Sequence, residues 1–195
     1  MDLRRSLCAL GAAMQDKTLV THAKQLKSLF ALFPPGDDMP EYEFVASDEV
    51  PAPYHRLLVH EHHMTVTVED VHRDRVNIRV LARTQEPDWY ARKILLTLES
   101  TDRPVQFGIM RIQWRHCPGV VRDEVLGGRS PLGRILINHN VLRRIESKAY
   151  LRVLPGKAMM DWFGADKKGS TYGRLAVIHC NGEPAIDLVE IVAPS

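Results

Sequence analysis

The chain has 195 residues, 45% of them hydrophobic, and a formal net charge of +2. That length fits one domain, or one domain with an N-terminal extension, and the apolar fraction excludes a disordered chain. The near-neutral charge, with basic residues scattered among acidic ones, argues against a polybasic membrane anchor and predicts no nucleic-acid partner.

In chain order, Leu19, Ala23, Leu26 and Phe30 recur at helical spacing and predict a helix over residues 3–33. Arg4 and Arg5 before the apolar run from Leu7 to Met14 have the outline of a signal peptide. Gly11 breaks that run, however, and Gln15, Asp16 and Lys17 follow without a small-residue cleavage site, so an ordinary helix start is expected. Pro34, Pro35, Gly36, Asp37 and Asp38 stop the pattern. Residues 1–50 are thus expected to form a helical extension and linker, and residues 51–195 the main domain. No stretch reaches the ~20 apolar residues that a membrane span requires. Cys8, Cys117 and Cys180 lie far apart without a CxxC pair, which suits free thiols in the cytoplasm and speaks against a structural zinc or disulfide framework.

Pro53 opens a short helix through Tyr54, Leu57, Leu58 and Glu61, since proline is tolerated in a first helical turn. From Met64 to Glu69 the period changes to two, predicting a strand, and Val76, Ile78, Val80 and Ala82 mark another. Strands are expected at about 89–99 and 104–114, joined by a polar turn at Ser100 to Arg103. Residues 118–138 read as helical, interrupted by Gly127, Gly128 and Pro131. Strands resume at about 143–153, 171–180 and 185–192, the last two separated by the hairpin signal Asn181-Gly182. Grouped, short-looped strands with helices segregated between them define an α+β class: an antiparallel sheet of about six strands with helices packed on one side.

Alternation fails informatively at two places. Tyr90, Arg92, Ile94, Leu96 and Leu98 share a strand face, so one arginine sits in an apolar row. A guanidinium cannot shed its charge, and burying it calls for an anionic partner. In the last strand Glu190 shares a face with Ile186, Leu188 and Val192, while Asp187 points the other way. Arg92 and Glu190 can pair as a buried salt bridge, or reach solvent at strand ends, or face a ligand; periodicity alone does not choose.

Four segments resemble the chorismate lyase family: Tyr54-His-Arg-Leu-Leu-Val-His60 leading to Met64-Thr65, Trp89-Tyr-Ala-Arg92-Lys-Ile-Leu-Leu96, Gly128-Arg-Ser-Pro-Leu-Gly-Arg134, and Tyr172-Gly-Arg174 through Gly182-Glu-Pro184 to Glu190-Ile-Val-Ala-Pro194. They fall in family order over residues 50–195. The resemblance implies a chorismate lyase-like fold and a cofactor-independent carbon–oxygen lyase converting chorismate to 4-hydroxybenzoate and pyruvate, as in ubiquinone biosynthesis. It implies that Arg92 binds the ring carboxylate, that backbone N–H groups at Met64 and Leu132 assist, and that Glu190 acts at the ring hydroxyl end. In enterobacterial relatives an arginine follows the glycine of the fourth strand, whereas Ile109 follows Gly108 here; Arg111 and Arg134 are the candidates for the second carboxylate. Pro184 and Glu190 also stand one residue further apart than in those relatives, implying a bulge or a shifted turn.

Three other functions compete with the lyase reading. The same fold serves in bacterial transcription regulators as a non-catalytic, effector-sensing domain for small aromatic acids, although the N-terminal fifty residues show no helix-turn-helix. A lyase on a related enolpyruvyl substrate is another, and a purely structural protein the last. Oligomeric state is left open. His60, His62 and His63 lack carboxylate or cysteine companions at ligand spacing and read as a surface cluster, so no metal is expected. Arg143, Arg144, Glu146 and Lys148 read as a solvated strand edge, and Met159 and Met160 beside Trp162 as a flap over the ligand.

Overall fold

The computed structural model describes residues 3–34, 39–164 and 169–194, with side chains from residue 17 onward. The expected helix stop at Pro35–Asp38 and the side chain of Cys8 lie outside the described residues. Elements follow in the order α1 (Leu3–Phe30), β1 (Glu41–Val45), α2 (Tyr54–Leu58), α3 (Met64–His72), β2 (Val76–Glu86), β3 (Trp89–Leu98), β4 (Pro104–Gln113), α4 (Gly119–Gly127), α5 (Leu132–Asn138), β5 (Arg143–Leu154), α6 (Lys157–Phe163), β6 (Thr171–Cys180) and β7 (Glu183–Val192). The strands form one sheet of seven in the order β1-β5-β6-β7-β4-β3-β2, every neighbouring pair antiparallel. The class is α+β, as the grouping of strands predicts.

Side-chain alternation along the central strands divides the core in two. On one face Ile94, Leu96, Met110, Ile178, Ile186 and Leu188 pack with residues of α2 to α5, among them Leu58, Met64, Val121, Val125 and Ile135. On the other face Leu95, Phe107, Ile109, Leu175, Val189 and Ile191 meet Leu26 and Leu29 of α1 and Met159 and Phe163 of α6. Both faces of β3 are therefore buried, the side chains of Arg92, Lys93 and Thr97 included. The helical cover of the second face sets two sequence expectations right. Met159 is fully buried there and Trp162 stacks on Phe107 at 5.3 Å, so this segment is core and not a flap over the first face. Residues 41–45, assigned to a linker, instead pair with Tyr150 to Leu154 as an edge strand. Since β1 stops there, residues 143–149 of β5 keep an open edge, where Arg144, Glu146 and Lys148 form ion pairs.

Met64 to Glu69 is the first turn and a half of α3, not a strand. The alternating Thr and Val residues mimic a strand, but Met64, Thr65 and Val68 are the buried ones, at helical spacing. Packing of that stripe overrides the β-branched preference. At the other end of the chain the extra residue before Glu190 is absorbed as a bulge: Ile178 faces Ile186 while His179 faces Pro184, leaving Ala185 unpaired. The bulge keeps Ile186, Leu188 and Glu190 in phase on the first face. Among the described residues no helix is long and apolar enough to cross a membrane.

Candidate functional site

A small cavity of about 70 Å³ lies between the first sheet face and the N-terminal ends of α3 and α5. Two antiparallel registers set its floor. One cross-strand row reads Arg92, Met110, Leu188 and Ala176, and the next Ile94, Gly108, Glu190 and Arg174. Gly108 contributes no side chain, so the floor is open between Ile94 and Glu190. Two strand spacings and one two-residue step separate the Cα atoms of Arg92 and Glu190 by roughly 12 Å. Both residues line the cavity, as do Met64 and Leu132. Met64 and Leu132 are the first residues of their helices, so their N–H groups have no acceptor within the helix.

Arg92 is 1% exposed, and no carboxylate pairs with it among the described residues. Its Nη1 donates to the Val125 carbonyl at 3.5 Å and its Nη2 to the Ser130 carbonyl at 3.2 Å, while Nε has no partner. Val125 lies in the last turn of α4, where carbonyl dipoles favour a cation. Two long bonds compensate the charge only in part. Burial lowers the guanidinium pKa to about 10.

Glu190 is not the partner of Arg92. Its Oε2 accepts from Nε of Arg174 at 2.7 Å, with side-chain exposures of 1% for Arg174 and 13% for Glu190. The Arg174 guanidinium also donates to the carbonyls of His60 at 2.9 Å, Leu58 at 3.3 Å and His62 at 3.3 Å. Arg174 is therefore a buried strap that ties the α2–α3 connection to the sheet. Sequence reasoning quoted this residue without giving it a role. The signal was present: Tyr172, Arg174, Ala176 and Ile178 repeat the pattern of one arginine in an apolar row.

Arg111 and Arg134 are not brought to the cavity. Arg111 lies on the opposite face, 2.7 Å from Oδ2 of Asp187, whose Oδ1 accepts from Gln25 of α1 at 2.9 Å. Arg134 pairs with Glu69 on the outer side of α3 and α5. The histidine expectation also needs amendment. His63 is only 8% exposed, lines the cavity, and accepts at Nε2 from Nε of Arg143 at 2.6 Å. Burial, then the Arg143 charge, push its pKa down to about 4, so the ring is neutral. His60 is held neutral in the same way by burial and Arg174. Close packing of the two helix ends depends on Gly133, where a Cβ would stand 2.9 Å from Thr65 Oγ1 and 3.0 Å from His63 Cβ.

No protein-family model and no curated protein matches the sequence. Among solved structures the chain resembles PhnF from Mycobacterium smegmatis at 12% identity, over 66% of this chain and 62% of that one, with a TM-score of 0.47. It also resembles the isolated effector domain of PhnF at 12% identity, over 68% of this chain and 88% of that one, with a TM-score of 0.48. A third is the ligand-binding domain of a protein described as a GntR-family transcriptional regulator from Bordetella bronchiseptica, at 12% identity over 60% and 85% of the two chains, TM-score 0.46. The chain thus spans less than two thirds of that PhnF chain.

The expected carbon–oxygen lyase is corrected at this point. The structures named above are described as an effector domain and as the ligand-binding domain of a transcriptional regulator. Arg174 holds one oxygen of Glu190 in a charge-assisted pair.

Proposed function

We propose that the seven-stranded sheet and the helices packed on it form a non-catalytic, effector-sensing domain whose cavity binds a small aromatic carboxylate. One observation carries this reading: a fully buried arginine without a carboxylate partner, at the wall of a cavity with an otherwise largely apolar floor. Keeping such a charge dry is costly, and an anion entering beside Arg92 would recover that cost through a charge-assisted, two-pronged pair. Ile94, Leu96, Met110 and Leu188 offer the apolar walls that a flat ring requires. Met64 and Leu132 would add their N–H groups at the carboxylate, and Glu190 an acceptor at the far end of the ring. Coupling of the cavity to the rest of the protein would run through Arg174, which joins the ligand-lining Glu190 to the backbone of residues 58–62.

Calorimetric titration with 4-hydroxybenzoate and with an equally sized neutral aromatic tests the proposal. The carboxylate is expected to bind and the neutral compound not. At a ligand concentration of 100 Kd the gain of about 2.7 kcal/mol should raise Tm by roughly 5–11 °C. Arg92→Met should remove both signals. Equal binding of acid and neutral compound, or unchanged binding by Arg92→Met, would refute it.

A further inference from the structure

Gln106 is 3% exposed, lines the cavity, and its Oε1 has no hydrogen-bond partner. Its Nε2 stands 3.7 Å from the point where a Cβ on Gly108 would lie. The side chain thus folds back from its own row, Leu96–Gln106–Val192, over the open floor between Ile94 and Glu190. An orphaned buried amide is costly, and an apolar residue of the same shape would fit this site without that cost. Glu190 is nearby on the neighbouring strand: Arg174 holds its Oε2, and no partner is found for its Oε1 among the described residues. Two polar groups with unused capacity therefore border the end of the cavity remote from Arg92. One is an acceptor only; the other offers both donors and an acceptor.

We propose that Gln106 is the specificity-determining residue of this cavity, hydrogen-bonding a hydroxyl at the end of the ligand remote from its carboxylate. The inference rests on the reading of the cavity as an aromatic carboxylate site and names what that site selects. A hydroxyl donates its single proton to Glu190 Oε1 and accepts from Gln106 Nε2, the amide atom that stands over the floor, leaving Gln106 Oε1 as it was. A bare ring leaves both unpaired after displacing any water, so the unsubstituted acid is penalised twice. An apolar substituent at that position is penalised in the same way.

The test is calorimetric titration of the full chain with benzoate and 4-hydroxybenzoate, for wild type, Gln106→Met and Gln106→Leu. Wild type is expected to prefer the hydroxylated acid by roughly tenfold or more, the scale of one or two buried hydrogen bonds. Both variants should bind benzoate within about threefold of wild type and lose most of the preference. Since each removes an unsatisfied buried amide, neither should melt below wild type when free of ligand. Variants that keep the full preference, or a wild type that binds the two acids equally, would overturn the role of Gln106 while leaving the carboxylate site standing. A wild type that binds neither acid would overturn both readings.

Discussion

Arg174→Met should be far more damaging than the loss of one surface-type ion pair. Arg174 and Glu190 are 1% and 13% exposed, so solvent screens their interaction little. Removing the guanidinium strands a carboxylate in a cavity wall and takes the donor from the carbonyls of Leu58, His60 and His62. Breaking a buried pair in this way costs about 3–5 kcal/mol. For a domain of this size that is a drop of roughly 6–20 °C in Tm. Adding Glu190→Leu to Arg174→Met withdraws the stranded charge, and the double variant should recover most of the loss, because apolar replacement of a buried pair is often near neutral. Urea unfolding of the four proteins, closed as a double-mutant cycle, measures the coupling directly. An Arg174→Met variant within about 1 kcal/mol of wild type, or losses that simply add in the double variant, would refute the argument.

Gly133→Ala places a Cβ within 3.0 Å of Thr65 Oγ1 and His63, forcing apart the ends of α3 and α5. A cost of about 1–3 kcal/mol is expected in urea unfolding, together with weaker ligand binding, because both helix ends line the cavity. Stability should also depend on pH through His63. Its folded pKa of about 4 lies below the ordinary value of 6.5, so its contribution is complete above pH 6.5. It is lost as pH falls from 6.5 towards 4, where the unfolded chain takes up a proton that the folded one refuses; the total is on the order of 3 kcal/mol. Urea midpoints of wild type and His63→Gln between pH 7 and 4.5 check this, with the variant expected to lose less over that interval. Arg111→Met and Arg134→Met, outside the cavity, should leave the affinity for 4-hydroxybenzoate within about twofold of wild type, which titration would show.

How much of this was legible in the sequence depends on which physical signal each part left. Parity marks Arg92 in β3 clearly, because a charge in an apolar row is visible wherever alternation is otherwise kept; it marks Glu190 less cleanly, since Asp187 lies with Val189 and Ile191 on the other face. Arg174 leaves the same signal in β6, and it is the partner of Glu190. The extra residue after Pro184 was read as a bulge or shifted turn, and it is a bulge at Ala185. What sequence could not supply was the face on which a lone arginine falls relative to the helices. Arg111 has the right chemistry but looks towards α1, where Asp187 and Gln25 wait for it. Met64–Glu69 misled for a different reason: a run of alternating Thr and Val satisfies a period of two and, at Met64 and Val68, a helical one as well. Tertiary packing chose between them.

The most direct measurement is a crystal structure of the protein with 4-hydroxybenzoate. The carboxylate is predicted to lie against the guanidinium of Arg92, with the hydroxyl over Gly108 towards Glu190. A ligand bound outside this cavity, or one turned with its hydroxyl at Arg92, would contradict the account.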